Sequence, residues 1–202
     1  LENVDMYTAF RNKVLEFKPD VIISSVVEDT YYLWRKFMDQ VTDRKFISVC
    51  GGVFCTYFPQ AFEGKCDYIL RGEGDEVVPE LMDLISEGKT GHHLANIHPN
   101  PMRPAMNVNT LPPTDHQIFD ERSLYRPFQG KIIKIATVET QRGCPFKCKF
   151  CNSPSNAGLY KEETDSLFFR KRTVEHQEME IKDLIEKHDI EFLWIVTDTF
   201  LT

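Results

Sequence analysis

The sequence has no run of about eighteen apolar residues, so it carries no helix expected to cross a membrane. It opens Leu1-Glu2-Asn3-Val4-Asp5, without the basic-then-apolar pattern of a secretory leader and without a Met. Positive charge is in short supply: Lys plus Arg number 24 against 31 for Asp plus Glu, a net charge of −7. That balance argues against a protein whose main task is gripping phosphate backbones, and so against nucleic acid as the partner. Internal repeats, coiled-coil registers and low-complexity tracts are missing as well. The 6 cysteines are too unevenly placed for a secreted disulfide framework: Cys50, Cys55 and Cys66 are scattered, whereas Cys144, Cys148 and Cys151 are crowded together. With no export signal the expected compartment is the reducing cytoplasm, where a tight cysteine cluster more often binds metal than forms bridges. What is there is ordinary globular material: 202 residues, 42% hydrophobic and 27% charged, enough for one large domain or two small ones with a sizeable core.

Residues 21–27, Val-Ile-Ile-Ser-Ser-Val-Val, form a short β-branched apolar run, which predicts a strand buried on both faces of a parallel sheet. Phe10, Val14 and Phe17 lie at helical spacing before it, and Pro19 ends that helix. Thr30 to Gln40 is amphipathic, with Leu33, Trp34 and Phe37 on one side. Phe46 to Cys50 and Asp67 to Leu70 read as further strands, ending at Gly51-Gly52 and Arg71-Gly-Glu-Gly-Asp75. Glu76 to Ser86 is a helix whose face is Val77, Leu81, Leu84 and Ile85, with Pro79 tolerable in its first turn. This alternation predicts an open α/β sheet. Residues 91–131, rich in Pro and Asn with few apolar repeats, read as an irregular connector between domains. Regular structure resumes with a strand at Ile132 to Val138, a helix from Thr173 to Lys187 with Thr173 as its N-cap, and a strand at Phe192 to Val196. Met179, Ile181, Leu184 and Ile185 are the apolar positions expected of that helix.

The stretch Arg142-Gly-Cys-Pro-Phe-Lys-Cys-Lys-Phe-Cys151 spaces its thiols C-x3-C-x2-C. Those positions could share one helix face, but Gly143 before the first Cys and Pro145 after it oppose a regular helix there. A closed zinc site asks for four ligands, and the next His after Cys151 is the distant His176. Three thiolates on a loop suit a [4Fe-4S] cluster better, leaving one iron without a protein ligand and open to a substrate-like molecule. Lys147 and Lys149, between the ligands, can offset the negative charge of thiolates and cluster.

C-x3-C-x2-C directly after a strand, with the aromatic Phe150 before the last Cys, resembles the radical S-adenosylmethionine (SAM) enzymes. The resemblance implies that Cys144, Cys148 and Cys151 hold a [4Fe-4S] cluster whose open iron chelates SAM, with Phe150 near the adenine. Reductive cleavage then yields methionine and a 5′-deoxyadenosyl radical, and the electron comes from a donor such as flavodoxin or ferredoxin. The run Leu193-Trp-Ile-Val-Thr-Asp-Thr-Phe200 looks like the second barrel strand of the family, and Asp198 matches an acid near the amino group of SAM.

The front of the chain resembles the cobalamin-binding domain that precedes the barrel in one branch of this family. Phe17-Lys-Pro-Asp-Val-Ile-Ile-Ser-Ser, Cys50-Gly-Gly-Val and Asp67-Tyr-Ile-Leu-Arg-Gly-Glu-Gly-Asp75 carry the likeness. It implies that Ser24 or Ser25, and Gly51 with Gly52, lie along the cobalamin tail, at the carboxyl edge where open α/β sheets bind ligands. Asp115-His116-Gln-Ile-Phe119 departs from the D-x-H-x-x-G motif of cobalt-ligating His, having no Gly in place. The acids of Glu73, Asp75 and Glu76 fit a helix N-terminus better than a phosphate cradle. Cys50, Cys55 and Cys66 are expected to be buried small residues, and His92-His93 a solvated loop.

The expected class is therefore α/β: a partial doubly wound parallel-sheet domain at 1–90, a connector at 91–131, and the start of a (β/α) partial barrel at 132–202. A whole barrel takes about 200 residues or more, so the chain reads as a window across a domain junction, incompetent for turnover alone. The expected activity of the whole is methyl transfer, rearrangement or cyclisation of a small molecule. The alternatives are a tRNA-modifying radical SAM enzyme of the methylthiotransferase type, and a non-catalytic cobalamin- or metal-binding module.

Overall fold

The computed structural model describes residues 5–43 and 45–200. The opening residues read above for a leader, 1–4, lie outside the described residues, as do residue 44 and residues 201–202. The chain divides into two compact units, Leu1–Arg103 and Pro104–Thr202.

In the first unit, helix α1 (Met6–Phe17) starts on the Asp5 carboxylate, which accepts the Thr8 N–H. It stops at Lys18, whose φ of 51° is left-handed, just ahead of Pro19. Then follow β1 (Val21–Ser25), α2 (Tyr31–Asp39), β2 (Ile47–Gly51), the short α3 (Val53–Tyr57), β3 (Tyr68–Ile69) and α4 (Val77–Ser86). The strands lie parallel in the order β1-β2-β3. One face packs on α4: Val49, Tyr68 and Leu70 bury with Val77 and Leu81, as the helix pattern requires. The other face packs on α2 and α3, where Trp34, Phe62, Cys50 and Cys55 are buried together and Cys66 is partly so. Tyr31 adds edge-on contacts to Phe54 and Phe62.

The expectation that residues 21–27 are buried on both faces is corrected: Ile23 is 51% exposed, and the central strand is β2. β1 is the edge of the three, so its apolar run covers less of the core. Residues 91–103 pack on this unit. Leu70 bridges antiparallel to Ile97, which is fully buried. Asn96 donates through Nδ2 to the carbonyls of Arg71 and Glu73 and accepts the Arg103 N–H. His92 stacks on Tyr68 at 4.5 Å between ring centres.

The second unit contains β4 (Tyr125–Phe128), β5 (Lys131–Glu139), β6 (Gln141–Arg142), α5 (Ser153–Thr164), β7 (Arg170–Lys171), α6 (Val174–His188) and β8 (Phe192–Val196). β5 is the spine: β4 pairs antiparallel with its first half and β8 parallel with its second. β6 and β7 make a short antiparallel ribbon beyond it. Thr173 caps α6 as expected, its hydroxyl accepting the His176 N–H at 3.2 Å. Of the apolar positions expected on α6, Leu184 is buried and Ile181 packs beside it, while Met179 and Ile185 are corrected to exposed positions and His176 and Glu180 are buried instead. An ion pair inside the unit draws Glu180 inward and turns the helix accordingly. Helix α5 has no sequence signal beyond Pro154 in its first turn; it lacks an apolar stripe, and only Ser153 and Tyr160 are buried.

Candidate functional site

β5 and β8 run parallel in the register Ala136↔Leu193 to Glu139↔Val196, so their carboxyl ends lie side by side. The cysteine loop leaves β5 by way of β6, and Asp198 lies just past β8. Both therefore stand at the same end of the strands, where parallel sheets place their chemistry. Ser153 fastens the two: its hydroxyl donates to Asp198 Oδ2 at 3.0 Å, and it is the first residue of α5, two beyond Cys151. Asp198 is thus brought to the exit of the cysteine loop.

Between Arg142 and Ser153 the backbone is irregular, with Cys144 half-buried and Cys148 and Cys151 exposed. Gly143 is what lets the chain enter this loop. Its φ is +79°, and a Cβ there would lie 2.9 Å from the carbonyl oxygen of Phe168. Phe168 is held in turn by Tyr160, with ring centres 4.9 Å apart, and by the Arg170 guanidinium 5.2 Å above its ring. The Cys148 carbonyl accepts the Cys151 N–H at 3.2 Å, closing a turn that carries Lys149 and Phe150 at its tip. The Ser153 N–H donates to Cys151 Sγ at 3.4 Å, the kind of contact that stabilises a thiolate ligand. Phe150 is 94% exposed, an aromatic face on offer at the lip of the loop.

The donor set fits an iron–sulfur cluster. Three free thiols on an accessible loop, one already hydrogen-bonded by a backbone N–H, are what a cluster with one open iron asks for. Among the described residues no three His, Cys, Asp or Glu side chains converge on a single metal ion.

The first-unit residues also meet at one edge. Ser24 pairs with Cys50 and Ser25 with Gly51, which puts the carboxyl ends of β1 and β2 together. The two glycines differ. At Gly51 a Cβ would meet Leu70 at 3.6 Å, an ordinary contact, so local packing does not demand glycine. At Gly52 the φ is +97° and a Cβ would sit 2.7 Å from Val26 N and 2.9 Å from Ser25 Oγ, so this glycine serves the chain's own crossing. The Gly72 loop is likewise pinned from within, its N–H donating to Thr56 Oγ1 at 3.0 Å while Arg71 Nε donates to the Thr56 carbonyl at 3.2 Å. A hollow of about 760 Å³ in this unit lies at the other end of the strands, beside Asp20, Val21, Phe46 and Ile47.

Sequence reasoning missed the charged residues around the loop. Glu139, Arg172 and Glu180 form a connected set, and only their positions near strand and helix ends could have hinted at it. It also missed the imidazoles of α6. His176 Nε2 lies 2.7 Å from the Leu111 carbonyl, and the His116 and His188 rings meet edge-on at 5.8 Å. Burial and the neighbouring His188 push the His116 imidazole below its ordinary pKa, against smaller upward pulls from Glu180 and Asp115.

No family model matches the chain. An uncharacterised methyltransferase of Pyrococcus horikoshii is 26% identical over 204 residues, covering 93% of this chain and 41% of that protein. The anaerobic magnesium-protoporphyrin IX monomethyl ester cyclase of Rubrivivax gelatinosus is 24% identical, covering 90% of this chain and 34% of the cyclase. The chain thus spans well under half the length of these relatives. In fold it is similar to TsrM, a radical S-adenosylmethionine methyltransferase from Kitasatospora setae. The TM-score is 0.63 at 15% identity, over 96% of this chain and 39% of TsrM in a structure with tryptophan substrate and a SAM analogue. A TsrM structure with cobalamin and a [4Fe-4S] cluster gives 0.61 at 17% identity. The chain is thus similar in sequence to a methyltransferase and to an anaerobic cyclase, and similar in fold to a radical SAM methyltransferase.

Proposed function

We propose that this chain is the cluster-holding part of a cobalamin-dependent radical SAM enzyme that transfers a methyl group to, rearranges or cyclises a small molecule. The observation that carries the reading is the C-x3-C-x2-C thiols on an irregular, accessible loop, tied at its exit to an acid at the end of the neighbouring parallel strand. The names of the relatives, methyltransferase and cyclase, and the tryptophan bound to TsrM support a small-molecule substrate.

Cys144, Cys148 and Cys151 would hold the cluster, and a bound cluster supplies the electron that opens SAM, drawn from a flavodoxin- or ferredoxin-like donor. Gly143 lets the backbone turn into the loop; the Ser153 N–H steadies Cys151. Phe150 offers its ring to the adenine. Asp198, already hydrogen-bonded by Ser153, offers its second oxygen to an ammonium group. In the first unit Ser24, Ser25 and Gly51 line the edge at which a cobalamin tail would lie, with Gly52 shaping that edge from behind.

Anaerobic reconstitution of the full-length protein with iron and sulfide tests the proposal. The expected result is a coloured cluster of about four irons per chain that cleaves SAM on reduction. A metal-loaded native protein holding zinc and no iron would overturn it.

A further inference from the structure

A chain of charges reaches the root of the cysteine loop. Glu139 is the last residue of β5, and its carboxylate accepts Arg142 Nε at 3.0 and 3.2 Å and Arg172 Nη2 at 3.1 Å. Arg172 Nη1 donates to Glu180 Oε2 at 2.7 Å, and Glu180 Oε1 accepts the Thr114 hydroxyl at 2.9 Å. The Arg172 and Glu180 side chains are 5% and 1% exposed, so that pair is stripped of water. One arginine atom, Arg172 Nε, is buried with no hydrogen-bond partner among the described residues.

Stability is a poor reason for such an arrangement. Desolvating two ions costs about what their attraction returns, and apolar residues of like size serve as well or better. The location is more telling. Arg142 stands two residues before Cys144, with only Gly143 between, and Glu139 is the group that grips both Arg142 and Arg172. The backbone repeats the link: Arg172 N–H donates to the Thr140 carbonyl, and β6 pairs with β7 through Arg142 and Arg170. Glu139 sits between two guanidinium groups and Arg172 between two carboxylates, so each charge in the network is held in place.

We infer that Glu139 is a positioning residue for the cluster: by holding Arg142 it fixes how Cys144 enters the loop and sets the net charge beside the thiolates. The inference deepens the proposed function and rests on the loop holding an iron–sulfur cluster. Charge near a cluster shifts its reduction potential, because reduction adds a negative charge that nearby cations favour.

The test is a redox titration of the reconstituted full-length protein, followed by electron paramagnetic resonance, with iron content and thermal melting measured in parallel. Glu139→Gln removes a negative charge and should move the cluster potential in the positive direction. Arg142→Gln removes a positive charge and should move it in the negative direction. The double variant should return it towards the parent, and Glu139→Asp, which keeps the charge, should lie nearer the parent than Glu139→Gln. Thr114→Val, at the far end of the network, should lower the melting temperature and leave the potential alone. A purely structural strut gives no opposite-signed pair: loaded variants with unchanged or same-direction shifts overturn the inference alone. Should Glu139→Gln fail to fold, Arg142→Gln decides by its sign. A parent protein that takes up no iron overturns the proposed function first and this inference with it.

Discussion

Gly52 and Gly143 look alike in sequence, each set at a strand exit, and the structure gives them the same local problem. Both have a left-handed φ, +97° and +79°, and both press against backbone where a Cβ would go. Beyond Gly52 the chain turns straight into α3, with Cys55 and Thr56 buried and Thr56 bonded back to the Gly52 carbonyl. Beyond Gly143 it runs out into an accessible loop with free thiols and exposed Phe146 and Phe150. The lesson is that a glycine after a strand reports a backbone crossing in both cases. The residues that follow it, packed inward or held outward, are what report a ligand.

The sharpest way to break the comparison is at the thiols. Cys148→Ala should abolish cluster uptake, read as loss of iron and of the visible absorption band, with little change in melting because the side chain is exposed. Cys55→Ala, inside the first-unit core, should do the reverse: full iron content with a loss of about 1–2 kcal/mol in denaturant unfolding. A next step down is the glycine pair. Gly52→Ala and Gly143→Ala should each cost about 2 kcal/mol or more, since strain and a backbone clash add, and Gly143→Ala alone should also lower cluster occupancy. Gly64 and Gly88 have positive φ with open space around them, so alanine there should cost only about 1 kcal/mol. Thr173→Ala, which removes the α6 cap, should cost about 1 kcal/mol in the second unit.

The smallest effect concerns pH. The folded chain holds the His116 imidazole below its ordinary pKa, so the unfolded chain binds the proton more readily. Its contribution is fully present above the unfolded value of about 6.5 and is lost as pH falls through that value towards the depressed folded one. Unfolding followed from pH 7.5 to 5 should show this slope, and His116→Gln should flatten it; an unchanged slope in the variant would remove His116 as its source.

The elements legible in the sequence are those whose burial follows a period. α1, α2, α4 and α6 and the strands β1, β2, β5 and β8 were expected nearly where they lie, because apolar spacing and Pro or Thr at the ends mark them. Helix α5 was not, since Ser-Pro-Ser-Asn-Ala-Gly-Leu-Tyr carries no stripe and is held through Tyr160 and Ser153. The burial of Glu180 on α6 is not legible for a related reason: polarity says outward, and the partner it meets inside, Arg172, is revealed only by tertiary contact. The thiols were legible because their spacing has a chemical meaning independent of fold. Glu139 was not, because one acid at a strand end has none until its arginines arrive.

The parallel pairing of β5 with β8 has a consequence in time. During synthesis Cys144, Cys148 and Cys151 all leave the ribosome before Phe192, the residue that Ile135 must find to close the sheet. Until then β5 has only β4 to pair with, and Asp198, which will anchor the loop through Ser153, has not been made. Contacts this distant in sequence form late. The nascent chain therefore displays its thiols before the strand pairing and the Ser153–Asp198 contact that frame their loop can form.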